Sequence, residues 1–173
     1  NLVSTSEVNN NKTGVINISN SNIRSVYNSN GIVDLNTVTV NGISAEGSGT
    51  TNINGMILNS GSIVNRNSHV INIYDASVEN DWISIYNNNA GSIINIYGGS
   101  FNSTKQNTVS NIGTINIYGG TITSTTGNSI TNTGTVNIGS KEIYLLSPDL
   151  NNIKSNSYFT NTLVNIVIEY LGK

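Results

Sequence analysis

Short runs of alternating apolar and polar residues recur along this chain. Around Asn116, Ile115 and Ile117 fall on one face and Asn116 on the other, the period-2 pattern of a strand with one buried side. The same pair of inward residues recurs as Ile16/Ile18, Val33/Leu35, Thr51/Ile53, Ile71/Ile73, Ile94/Ile96, Val136/Ile138 and Val164/Ile166, with Thr51 the only polar member. The residues between them are Asn17, Asp34, Asn52, Asn72, Asn95, Asn116, Asn137 and Asn165, spaced by 17, 18, 20, 23, 21, 21 and 28 positions. A period near 20 is too short for two-helix repeats, whose periods are about 33 or more, and fits one coil of a β-solenoid.

Two further columns follow from the same alignment. The first is apolar: Ile23, Val38, Ile57, Val78, Phe101, Ile122 and Ile143. The second is a short strand before each new coil, read in Val26–Asn28, Ile63–Asn65, Ile85–Asn87, Val109–Asn111, Ile130–Asn132 and Phe159–Asn161, and more weakly at Ile43, where Ala45 replaces the Asn. Three short strands per coil predict an all-β, single-stranded, right-handed parallel β-helix of about eight coils. At ~4.8 Å per coil that is a rod of roughly 40 Å. Residues 1–173 then form one domain, with 1–13 as an N-terminal cap or connecting segment, 144–156 as an inserted loop holding the only Pro, and 157–173 as the last coil.

Composition supports this picture. Charged residues make up 9%, against about 25% in ordinary soluble domains. Asn supplies 34 of 173 residues. An Asn amide both donates and accepts, so stacked Asn can bond one another and satisfy turn backbone. Asn28, Asn65, Asn87, Asn111, Asn132 and Asn161 therefore form a candidate internal turn ladder, while the strand-centre column should face solvent. Tyr74, Tyr97 and Tyr118 form an outward stack, read either as structural support or as a sugar platform.

The seven Lys and Arg are scattered and the formal charge is −2. Phosphate binding needs clustered positive charge, so nucleic acid is not a predicted partner. No apolar run reaches the ~20 residues of a membrane span. Asn1–Gly14 has no signal-peptide core, as expected either of a secreted chain after cleavage or of a segment cut from a longer one. Without Cys there is neither a disulfide framework nor a thiolate metal site.

The strings IYNNNAGSIINIYGGSF and SITNTGTVNIGSKEI resemble an Asn-rich β-helix repeat of surface proteins in Firmicutes and methanogenic archaea. The resemblance runs from about Gly14 to Ile168. It implies a pectate-lyase-like β-helix, secretion to the cell surface or a phage particle, and an adhesive or structural role. Similar coils also serve in phage spikes and polysaccharide lyases, which leaves glycan binding or cleavage as the alternative.

Catalytic candidates are sparse. A glycosidase needs two carboxylates across a groove, and a lyase needs clustered Asp with a base. The one acidic cluster is Asp75, Glu79 and Asp81, with Trp82 beside it and His69 and Arg66 nearby, read as a sugar or cation site or as a solvated loop. No cofactor and no metal site is implied. His69 is the only His, so a Ser–His–Asp triad would have to use it. The Gly pairs at 98–99 and 119–120 lack the following Lys-Ser/Thr of a phosphate loop and suit tight corners. Thr114, Thr135 and Ser92, with Thr121, Ser100 and Ser77, suggest short ice-binding arrays as a minor alternative. At the C-terminus Val164, Ile166, Ile168, Tyr170 and Leu171 end the chain apolar, predicting self-association as a coaxial filament, or a lateral trimer.

Overall fold

The structure is a computed structural model that describes residues 6–139 and the two strands Ile143–Leu146 and Ile166–Glu169. All regular structure among these residues is β-strand. The chain opens with β1 (Glu7–Asn10), β2 (Val15–Ile23), β3 (Ser25–Asn28), β4 (Ile32–Val40), β5 (Ile43–Ala45) and β6 (Thr50–Leu58). There follow β7 (Ile63–Asn65), β8 (Val70–Asn80), β9 (Ile85–Asn87), β10 (Ile93–Ile96), β11 (Ser100–Ser103) and β12 (Val109–Asn111). The last are β13 (Thr114–Ile117), β14 (Gly120–Ser124), β15 (Ile130–Asn132), β16 (Thr135–Ile138), β17 (Ile143–Leu146) and β18 (Ile166–Glu169).

Each strand pairs in parallel with its equivalent one coil away, giving a β-solenoid of about seven turns. One sheet, β1-β3-β5-β7-β9-β12-β15, makes the third side. The other two sides share an 11-stranded sheet. β2, β4, β6 and β8 run unbroken around the corner between them, whereas later coils split there into β10 and β11, then β13 and β14. The reason lies in the corner residue. Asn20, Thr37 and Gly55 bend the long strands with left-handed φ of 50°, 53° and 74°. The Tyr-Gly-Gly coils break at Gly99 and Gly120, with φ of 106° and 101°, a region open to glycine because it has no Cβ.

The inward pairs stack as predicted. Ile71, Ile94 and Ile115 are in register, as are Ile73, Ile96 and Ile117, and all six are fully buried. Each such side chain contributes about 1.5–3 kcal/mol by leaving water. The second apolar column differs from the prediction. It runs Ile23, Val40, Leu58, Val78, Phe101 and Ile122, with Leu145 next in backbone register. Val38 points inward too, but in a separate column with Met56 and Ala76. Ile57 faces solvent at 54% exposure, and Ile143 pairs with Gly120. The left-handed corner residue breaks the alternation, so counting by two across it selects the wrong apolar residue.

The ends are also revised. Glu7–Asn10, expected in a cap, is a full rung paired with β3. Tyr144–Leu146, expected in a loop, belongs to β17, while 147–156 lie outside the described residues. β18 adds to β17 on the second side, so Ile166 lies beside Ile143 rather than over Ile138. Asn165 and Val164 lie outside the described residues, as does the predicted strand Phe159–Asn161. The predicted eight coils thus become about seven, roughly 34 Å at the rung spacing.

One corner keeps its length along the chain and the next one grows. From the last inward residue of the first side to the second column the chain uses five positions in six successive coils, Ile18–Ile23 through Ile117–Ile122. From there to the first inward residue of the third side it uses 3, 3, 5, 7, 8 and 8, Ile23–Val26 through Ile122–Ile130. The revised register is testable by urea denaturation. Leu58→Ala should cost about 2–4 kcal/mol through lost burial and a cavity, whereas Ile57→Ala should change stability by less than about 0.5 kcal/mol.

Candidate functional site

The corner Asn residues form the predicted internal ladder. Asn28, Asn65, Asn87 and Asn111 are buried, and Asn10 adds a rung that the sequence reading did not include. Each Nδ2 donates to backbone carbonyls of the turn: Asn65 to His69 O at 3.1 Å and Ile93 O at 3.0 Å, Asn111 to Gly113 O at 3.1 Å and Thr135 O at 3.0 Å. Direct amide–amide bonds run from Asn87 to Asn111 (2.7 Å) and from Asn111 to Asn132 (2.6 Å). The Phe159–Asn161 rung is outside the described residues.

His69 belongs to this interior, not to a surface cluster. It is fully buried, at the position where neighbouring coils carry Gly49 and Ser92. Its Nδ1 lies 2.6 Å from the Glu46 carbonyl oxygen, which can only accept. Nδ1 therefore carries the proton, and Nε2 accepts from the Thr51 hydroxyl at 3.1 Å. Thr51 and Ala45 are two departures from the repeat here, Thr51 bonded to the ring and Ala45 next in sequence to Glu46, whose carbonyl the ring meets. Ala45 omits the Asn amide that would compete for the space, and Thr51 supplies a hydroxyl donor where other coils have an aliphatic side chain. Burial lowers the His69 pKa below 6.5, opposed by the Glu46 and Ser29 carbonyls.

The acidic residues do not converge. Asp75 and Glu79 both lie in β8, facing out, roughly 13 Å apart along the strand. Asp75 is paired with Asn54 and Glu79 with Asn102. Glu79 was expected in the loop that follows. Asp81 is beyond the strand, bonded to Thr104 and 2.6 Å from Lys105 Nζ, which holds its carboxyl below the ordinary range. Among the described residues no three His, Asp or Glu side chains gather as a metal site. Trp82 is 66% exposed. Of the short Thr and Ser arrays, Thr114 aligns with Thr135 but with Ile93 rather than the buried Ser92, while Thr121, Ser100 and Ser77 align.

The Tyr stack is present. Tyr74–Tyr97 and Tyr97–Tyr118 have ring centroids 5.0 Å apart with planes within 9° and 14°. Beside it on the first side runs an outer amide ladder. Asn137 donates to Asn116 (2.8 Å), Asn116 to Asn95 (2.7 Å), Asn95 to Asn72 (2.8 Å), Asn72 to Asn52 (2.8 Å), and Asn52 to Asp34 Oδ1 (2.7 Å). All donors point one way, so the series ends properly on a carboxylate, which needs no donor of its own. At that end a cleft of about 270 Å3 opens among Asn17, Asp34, Leu35, Asn36, Asn52, Asn54 and Tyr74. The sequence reading included Tyr74 but not the amides below it. The available signal was their position: Asn36 and Asn54 follow the inward Leu35 and Ile53, as Tyr74, Tyr97 and Tyr118 follow theirs.

The architecture places the chain among parallel β-solenoids. Comparison with known proteins finds no matching family model, no matching curated protein and no matching solved structure. No helix among the described residues is long and apolar enough to cross a membrane.

The buried imidazole gives a pH prediction. The unfolded chain protonates His69 near 6.5, the folded chain only at lower pH. Between those values the unfolded state holds the extra proton, so stability is complete above 6.5 and falls as pH drops, by up to ~1.4 kcal/mol per unit. Urea denaturation of wild type between pH 7.5 and 5 should show this slope, and His69→Gln should remove it.

Proposed function

We propose that this chain is a non-enzymatic, extracellular structural or adhesive β-solenoid whose copies join end to end at a cell or particle surface. The observation that carries the reading is the state of its first coil. Ile16 and Ile18 are only partly buried, whereas their equivalents Val33 and Leu35 in the next coil are fully buried. Among the described residues β2 pairs with β4 alone, so its backbone groups on the other edge have no strand partner. An open parallel edge backed by aliphatic side chains is a template for another strand. A contact between unlike ends does not close and produces a filament.

The side faces support the same reading. Their chemistry consists of ladders of like residues, and the acids are separated along strands or paired, as Asp81 with Lys105 and Glu46 with Arg66. His69 is enclosed. A repetitive wall of this kind suits a stalk or fibre rather than a reaction centre. Of the residues expected to carry the C-terminal contact, Ile166 and Ile168 lie in β18, the last rung described, while Val164, Tyr170 and Leu171 lie outside the described residues.

Electron microscopy and sedimentation over a rising concentration series test the proposal. Wild type should form rods longer than one molecule, and Ile16→Asp should leave folded single particles. Wild-type particles of one size at every concentration, or a discrete trimer, would refute end-to-end growth.

A further inference from the structure

The Tyr stack has two unlike ends. At one end Tyr118 is covered by backbone: a Cβ placed on Gly139 would come within 2.6 Å of Tyr118 Cδ1. At the other end Tyr74 has no ring below it. In the preceding coils Asn54 and Asn36 likewise follow the inward Ile53 and Leu35 and reach each other at 3.5 Å, but an irregularity in the register pairs Asn54 with Asp75 rather than with Tyr74. Tyr74 is accordingly 49% exposed, against 38% for Tyr97 and 37% for Tyr118. The cleft lies at this end of the stack, next to Tyr74. One boundary is Tyr74, another the amides of Asn36 and Asn54, and another Asn52, Asp34 and Asn17 of the outer ladder.

We propose that this cleft binds a neutral pyranose sugar, its apolar C–H face stacked on the free face of Tyr74 and its hydroxyls held by Asn36, Asn54 and Asp34. Each requirement of such a ligand has a counterpart here. A ring face needs a flat partner, and the half-exposed Tyr74 at the end of the stack supplies one. A rim of hydroxyls needs both donors and acceptors. Side-chain amides supply both, and Asp34 accepts through two oxygens, of which Oδ1 is bonded to Asn52. A purely aromatic ligand would displace water from these polar groups without replacing its hydrogen bonds. An acidic sugar would meet the carboxylates of Asp34 and, just past Tyr74, Asp75. The volume, about 270 Å3, lies just under the roughly 300–1,000 Å3 of sites for drug-sized ligands, and so suits one ring and part of the next rather than a long chain lying flat.

This site borders the proposed joint only through Asn17 of β2 and can exist whether or not the chain forms fibres. The test is a titration of the full chain with cellotetraose, chitotetraose and maltotetraose, and with tetragalacturonate as the acidic comparison. The readout is nuclear magnetic resonance of the Asn side-chain amides. At least one neutral tetrasaccharide should give saturable shifts at Asn36 and Asn54, and tetragalacturonate should bind more weakly or not at all. Tyr74→Ala should weaken binding by about tenfold or more. Asn54→Tyr should fill the cleft from its lining and abolish binding in a chain that stays folded. This second variant keeps the proposal testable should Tyr74→Ala unfold. Trp82→Ala, which removes the other exposed aromatic, should leave affinity within about twofold. The proposal is overturned if none of the neutral sugars shifts those amides at millimolar concentration, if a folded Asn54→Tyr binds as wild type does, or if tetragalacturonate binds most tightly.

Discussion

The whole molecule depends on one constraint: each coil pairs in parallel with the next, so a side chain meets its own equivalent ~4.8 Å away. Only residues that tolerate themselves as neighbours suit such a column. Aliphatic side chains do, because they exclude water together. Asn does, because its amide gives one bond and takes one. Tyr does, by stacking. Charges do not. Two like charges one rung apart repel by about 0.9 kcal/mol even in bulk water, and a column repeats that cost at every rung. This accounts for the 9% charged content. In the pairings described, each acid faces a neutral partner: Glu7 faces Ser25, Asp34 lies between Asn17 and Asn52, and Glu79 faces Asn102.

Columns can be interrupted when the interruption is shared. Ala45 removes one amide from the internal ladder, and His69, entering from the next coil, occupies the room and bonds the Glu46 carbonyl. Thr51 then gives Nε2 the donor it needs. Three substitutions in two adjoining coils thus replace one Asn with a different satisfied arrangement. The ladder still has buried Oδ1 atoms without hydrogen-bond partners, at Asn28, Asn65 and Asn87. A buried polar atom left this way costs about 1–3 kcal/mol. For Asn65 the reason is visible: the ladder's donors point along the chain, and the residue one coil before it is Ala45.

Much of the fold was legible because repetition makes every coil a test of the others. The pairs around Asn72, Asn95 and Asn116, the corner Asn column and the Tyr stack all lie where periodicity within a straight strand puts them. Legibility failed at the bend. Val38 and Val40 are both inward, and Ile57 and Leu58 are both apolar, so hydrophobicity alone could not choose the register. The choice is made by a left-handed residue, and Thr37 does not advertise one. The site was legible in part. Tyr74 stood out as an aromatic, but Asn36 and Asn54 gain meaning only beside a ring that stops above them. The grouping of Asp75, Glu79 and Asp81 failed because nearness in sequence along an extended strand is distance in space.

The uneven corners shape the outline of the rod. The corner between the first and second sides keeps its five-residue spacing through six coils, while the next corner lengthens from 3 to 8. One edge of the rod is therefore even along the axis, and another carries longer loops in the later coils. Were copies joined in line, that even edge would run on from one to the next, and the Tyr rings with the cleft beside them would lie along it.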